Sequence, residues 1–223
     1  MKRNLTFSTG EFYHIYSRGT DKRNIFLDNN DRLRFQLLLY VSNNSKSVHL
    51  SNIKQNQGPS LMDLFGEILS DKILVDIGAY CLMPNHFHIL IKEKSENGIS
   101  LFMKKLLTGY SMYFNTKHER TGALFESRFK ATHANTDEYL KYLFAYIHLN
   151  PIKLLEPKWK EVGIKNKSKA EQFLRNYNFS SYQDYLEINR RQSKILNKNS
   201  FPDYFEEPSA FKDYVSWWLS FKD

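Results

Sequence analysis

Short stretches in which apolar and polar residues alternate, and longer ones in which apolar residues recur every three or four, divide the chain into elements. "EFYHIYSRG" (11–19) reads as a short aromatic strand running into a turn. "NNDRLRFQLLLYVSNN" (29–44) sets leucines and aromatics at helical spacing behind a capping Asn or Asp. "ILVDIGAYCLM" and "HFHILIKEK" are two strands joined at Pro84-Asn85, an antiparallel hairpin. "GISLFMKKLLTGYSMYFNTKHER" is a long amphipathic helix. "GALFESRFKATHA" predicts a fourth strand, opened by Gly122 and carrying Phe125 and Phe129. Strand, helix, strand, strand, helix, strand is the order of a ferredoxin-like α+β domain, an antiparallel sheet with helices on one face.

One more helix follows, "DEYLKYLFAYIHLN" (137–150), started at Asn135 or Thr136 and stopped by Pro151. Residues 43–61 are rich in Asn, Ser and Gln and read as a surface excursion, so that 43–70 forms an insertion or long loop. The chain divides into a catalytic domain, 1–156, and a C-terminal helical extension, 157–223. The extension ends in "FKDYVSWWLSF", which can dock as a short helix. There is no internal repeat and no glycine-rich phosphate loop.

Charge narrows the partners. Lys and Arg total 32 against 24 Asp and Glu, a formal charge of +8, which favours a polyanion, nucleic acid before membrane. With 14 Tyr and 17 Phe, surfaces that stack unpaired bases are within reach, although most aromatics belong to the core. The single cysteine, Cys81, excludes an internal disulfide and a multi-cysteine zinc knuckle. No signal-peptide core and no apolar run of membrane-spanning length occurs, so the protein is expected to be soluble and intracellular.

Chemistry first shows in "YCLMPNHFHILI" (80–91). Alternation puts His86, His88 and Leu90 on one face of a strand, and Phe87, Ile89 and Ile91 on the other. The second face reads as core and the first as solvent-facing, with two imidazoles side by side where a divalent metal can bridge them. On the helix over 137–150, Leu140, Phe144 and Ile147 form the burying side. Tyr139, Tyr142, Tyr146 and Asn150 form a second stripe about a quarter turn away. Tyr146 and Asn150, four apart, are adjacent on the surface.

"MPNHFHILI" followed by "YIHLNP" resembles the single-tyrosine HUH transposases of small bacterial insertion sequences, and most of all their REP-associated tyrosine transposase relatives. "YHIYSRGTDKRNIF", "YSMYFNTKHERTGALFESRFKA" and "NFSSYQDY" extend the resemblance over residues 12 to 186. It implies that His86 and His88 are metal ligands, that Asn150 is the third, and that Tyr146 is the nucleophile. A phenol with a reference pKa near ~10 attacks a phosphodiester poorly without a cation on the phosphate, which suits Mg²⁺ or Mn²⁺. The implied product is a 5′-phosphotyrosine with a free 3′-OH, formed on single-stranded or hairpin DNA, with palindromic repeats as the partner. The resemblance also implies a bacterial cytoplasmic, nucleoid-associated location and either a monomer or a homodimer.

Arg18, Lys22 and Arg23 after the first strand, and Arg128 and Lys130 on the fourth, are candidate phosphate contacts. Tyr139 and Tyr142 lack an Asn four residues on, and His148 lies on the far side of the helix from Asn150. His14 and His133 can sit near the site but read first as structural strand-end histidines, and His118 reads as solvated. The main rival is a domesticated DNA-hairpin binder without catalysis. A metal-dependent hydrolase needs further His and Asp ligands, and a two-histidine phosphoesterase needs paired H-x-Thr/Ser motifs, which the chain lacks.

Overall fold

A computed structural model of the protein describes residues 5–46, 65 and 73–220. The alternating stretches form β1 (Phe12–Arg18), β2 (Val75–Met83), β3 (His86–Glu93) and β4 (Lys130–His133). They make one sheet in the order β2-β3-β1-β4, with every neighbouring pair antiparallel. The helical stretches between them form α1 (Asn29–Val41) and α2 (Gly98–Lys117). The α+β, ferredoxin-like plan read from the pattern is therefore the architecture found. Tyr13 and Ile15 of β1 and Phe87, Ile89 and Ile91 of β3 bury against Phe35, Leu38, Phe102 and Leu106 of these two helices.

α1 starts one residue earlier than the pattern suggested. Asp28 is its cap, and Asp28 and Asp31 bond each other's backbone N–H groups in a reciprocal capping box. Asp31 is fully buried and also meets the end of α2. Lys117 Nζ lies 2.7 Å from its carboxylate and His118 Nε2 3.1 Å away, so His118 is not a solvated residue.

The opposite face of the sheet is covered too, so the helices are not confined to one side. α3 (Asp137–Leu149), capped by the Thr136 side chain, lays Leu140, Phe144 and Ile147 against a cluster that includes Ala79, Cys81, Met83 and Leu90. α3 ends at its Asn150 cap, directly before Pro151 as the pattern predicts, and Pro151, itself at right-handed helical angles, is the N-cap of a further short helix, α4 (Ile152–Leu155). α5 (Trp159–Val162), α6 (Lys167–Asn176), α7 (Tyr182–Tyr185) and α8 (Pro208–Trp218) follow. Trp159, Leu174, Phe201 and Phe211 from this segment complete the second core. The segment also closes the free edge of β2, where Ser181 N donates to Tyr80 O and Leu82 N to Phe179 O, both at 2.9 Å. Gly78 admits the Phe201 ring, since a Cβ there would lie 2.7 Å from it.

The fourth strand is shorter than its sequence pattern. Leu124 and Phe125, neighbours in the chain, are both buried, which a strand with one wet face does not allow. Residues 122–129 instead follow the loop after β1, with Thr20 N donating to Leu124 O and Glu126 N to Arg18 O. Arg128 thus precedes β4, and Lys130 opens it. Most of the 43–70 excursion lies outside the described residues. Among the described residues no helix is long and apolar enough to cross a membrane.

Candidate functional site

Register builds the site before any side chain is considered. Across the β1–β3 ladder Tyr16 stands opposite His88, Arg18 opposite His86 and His14 opposite Leu90. Across β1–β4, Lys130 stands opposite Tyr16 and Thr132 opposite His14. Residues opposite one another in an antiparallel pair share a face, so the two histidines of β3 lie in a lattice of aromatic and cationic groups. α3 crosses over this lattice. Its Tyr146 ring lies 5.5 Å from the His88 ring and 5.6 Å from the His14 ring, edge-on to both. His14 and His88 stack at 5.0 Å and share a hydrogen bond, His14 Nε2 to His88 Nδ1, of 2.9 Å.

His88 is therefore not solvent-facing: it is only 6% exposed, because α3 covers the face that the strand pattern left to water. His86, nearer the end of the hairpin, is half-buried. Burial, with the positive Lys153 and Arg18 nearby, brings the His86 imidazole down to about 4. Burial alone brings His14 to about 4, and burial with the neighbouring His14, His86 and Lys153 holds His88 well below its ordinary value. All three rings are neutral at pH 7. Burial likewise raises the Tyr146 phenol, with Tyr139 and Tyr16 adding to the shift, so the phenol is protonated.

The donor set suits a divalent cation. Asn85 Oδ1 lies 2.7 Å from His86 Nδ1, and the tautomer that donates from Nδ1 leaves Nε2 its lone pair. His88 can do the same, with Nδ1 turned to His14. Asn150, the C-cap of α3, is 4% exposed, and its Nδ2 donates to Tyr146 O at 2.8 Å, which directs Oδ1 the other way. Two neutral imidazole nitrogens and one amide oxygen are donors that Mg²⁺ or Mn²⁺ accepts. They bring no negative charge of their own. Among the described residues no three His, Cys, Asp or Glu side chains are grouped as a metal site.

The candidate phosphate contacts fall into two groups. Arg18 and Lys130 converge on one carboxylate, Glu126, at 3.0 and 3.6 Å. Lys22 and Arg23 lie in the turn after β1, where Asp21 and Lys22 both have left-handed backbone angles, φ 55° and 59°. Such residues cost on the order of 1–3 kcal/mol each and persist only where their surroundings hold them. Here Asn85 Nδ2 donates to Lys22 O at 3.1 Å while its Oδ1 meets His86, so one side chain ties the strained turn to a histidine of the site. Gly19 opens that turn, and a Cβ there would lie 2.4 Å from Arg23 O. Arg128 is exposed beside β4.

Sequence reasoning set His14 aside as structural and missed Tyr16, Lys153, Asn85 and Glu126. The signal for the first two was present: "YHIYSR" alternates His14, Tyr16 and Arg18 as regularly as "HFHIL" alternates its histidines, but their register against β3 is tertiary. Two other histidines turned down at sequence level are elsewhere. His148 is fully buried between Phe144 O and Ser181 Oγ, each 2.7 Å away, and His133 meets Glu11 at 2.8 Å.

No curated protein matches the chain by sequence. A solved structure described as a REP-associated tyrosine transposase bound to a REP hairpin is similar to it at 12% identity, over 84% of this chain and 86% of that one, with a TM-score of 0.49. Residues 13–150, from β1 to the Asn150 cap of α3, match the family model of IS200-like transposases, and the chain belongs to that family.

Proposed function

We propose that the protein cuts single-stranded or hairpin DNA by forming a 5′-phosphotyrosine at Tyr146. The observation that carries this reading is the packing of the Tyr146 ring against His88 and His14, which brings a helix-borne phenol onto the histidine face of the sheet. Tyr146 Oη forms a bond to phosphorus as the bond from phosphorus to the 3′ oxygen breaks. The phenol loses its proton and the departing 3′ oxygen takes one up. One phosphodiester is exchanged for another, so attack by a 3′-OH on the phosphotyrosine can rejoin a strand.

His86, His88 and Asn150 are the residues that would hold Mg²⁺ or Mn²⁺, which when bound would neutralise phosphate charge and favour departure of the 3′ oxygen. The other groups position. His14 and His88 flank the Tyr146 ring, and Asn85 fixes the tautomer of His86. Arg18, Lys22, Arg23, Arg128, Lys130 and Lys153 offer cations to the strand backbone. The DNA expected here is a hairpin, with palindromic repeats as its source.

Labelled single-stranded and hairpin oligonucleotides, incubated with Mn²⁺, should yield an adduct that survives denaturation and carries the DNA 3′ of the cut. Tyr146→Phe should give none, and His86→Ala or chelator should reduce the yield by at least ~100-fold. An undiminished adduct with Tyr146→Phe would remove the tyrosine from the chemistry. Equal yields in chelator and in Mn²⁺ would remove the metal. A mobility shift without any adduct in the native protein would make it a hairpin binder.

A further inference from the structure

A cleft opens to solvent between α3, α5 and α8. Tyr142, Trp159 and Trp218 are its aromatic walls, Lys160 lines it, and Tyr146, Asn150 and Lys153 are shared with the site described above. Tyr142 packs edge-on to Trp218, with ring centres 4.7 Å apart. Lys160 Nζ lies 5.4 Å from the Tyr146 ring centre and 5.7 Å from that of Trp159, which places a cation between the candidate nucleophile and the cleft wall. Among the described residues no carboxylate lines this space.

Flat aromatic walls lined with two cations suit a ligand that is both planar and anionic. An apolar guest would make no use of the two cations, and a free phosphate would make no use of the aromatic walls. A nucleotide satisfies both. Position adds to the chemistry, because the cleft begins at the residue that would carry the DNA 5′ phosphate. We propose, resting on the reading of Tyr146 as the nucleophile, that the cleft receives one unpaired base of the strand beside the cut. The base stacks against Tyr142 and Trp218, while Lys153 and Lys160 hold its phosphates. Trp159, Lys160 and Trp218 all lie beyond the segment that matches the family, residues 13–150. The C-terminal extension thus contributes part of the grip on this base, through Trp218 and Lys160, and Tyr142 of α3 and Lys153 of α4 contribute the rest.

The test compares fluorescein-labelled oligo(dT) of twelve nucleotides with an abasic strand of the same length, on the full-length protein, by fluorescence anisotropy. The native protein should bind the base-bearing strand more tightly. Trp218→Ala should weaken that binding roughly 5- to 100-fold and leave the abasic strand unaffected, whereas Trp218→Phe should restore most of the loss. Lys160→Ala should weaken both strands. The abasic strand serves as the control for folding, and Tyr142→Ala provides a second variant on the same wall. Equal affinity of the native protein for both strands, native-like affinity in Trp218→Ala, or equal losses on both strands would each overturn the base site. Assaying the Tyr146 adduct on the same preparations separates the two readings. An adduct without base-dependent binding overturns the cleft alone, and base-dependent binding without an adduct overturns the nucleophile alone.

Discussion

Glu126 shows how much one exposed residue can govern at this surface. It is the only carboxylate among the described residues that receives both Arg18 and Lys130, and its hydrogen bond from Arg18 holds it below its ordinary pKa, with the charge of Lys130 acting in the same direction. It is therefore ionised at neutral pH. A phosphate that approaches the lattice beside His88 and Tyr16 must take these cations from Glu126. Glu126→Gln should accordingly raise affinity for single-stranded DNA several-fold. The log–log salt dependence should steepen by about 0.7 for each cation released to the backbone. Salt titrations of the variant and the native protein measure this. An unchanged slope would place Arg18 and Lys130 outside the path of the strand.

Helix pairing on the other face depends on one buried carboxylate. Asp31 accepts from Leu27 N at 2.8 Å and from Tyr113 Oη at 3.2 Å, and it binds Lys117 and His118 at the end of α2. Burial by itself would raise its pKa, but Lys117, the Leu27 N–H and His118 outweigh burial and hold it below the ordinary 3.8. A carboxylate with a lowered native value contributes stability above its unfolded value and loses it as pH falls through the native one. Asp31→Asn should cost about 2–4 kcal/mol at pH 7, since a buried pair loses one partner. Urea unfolding should show the difference between the two proteins intact at neutral pH and shrinking below about pH 4. A difference that persists into strong acid would mean that shape and not charge ties α1 to α2.

Across the whole molecule, the second face of the sheet makes the C-terminal segment part of the core. Trp159, Leu174, Tyr182, Phe201, Phe211 and Val215 are buried with Phe144 and Ile147 of α3. Each large apolar side chain that loses its cover gives up roughly 1.5–3 kcal/mol, against a total stability of about 5–15 kcal/mol. A chain ending at residue 156 should therefore not fold to a cooperative unit. Circular dichroism melts should show a broad or missing transition, and a sharp transition near that of the full chain would show that 1–156 is self-sufficient.

The pattern alone determined the element order, the βαββαβ plan, the hairpin at Pro84-Asn85 and the pairing of Tyr146 with Asn150 on one helix. These depend on contacts between residues close in sequence, and periodicity records them. It could not determine which strand faces are wet. Alternation marks the difference between the two faces of β3, but whether His88 meets water or α3 depends on a helix some fifty residues downstream. The same limit hid His14: only the register of β1 against β3 makes it a neighbour of His88, and register is a property of the assembled sheet. The fourth strand was overdrawn for the converse reason, because Leu124, Phe125 and Glu126 pair with the last residue of β1 and the turn after it and do not continue β4. The cleft beside Tyr146 was likewise invisible in the sequence. Tyr142, Trp159 and Trp218 come from three elements, and only their packing brings the rings to one wall.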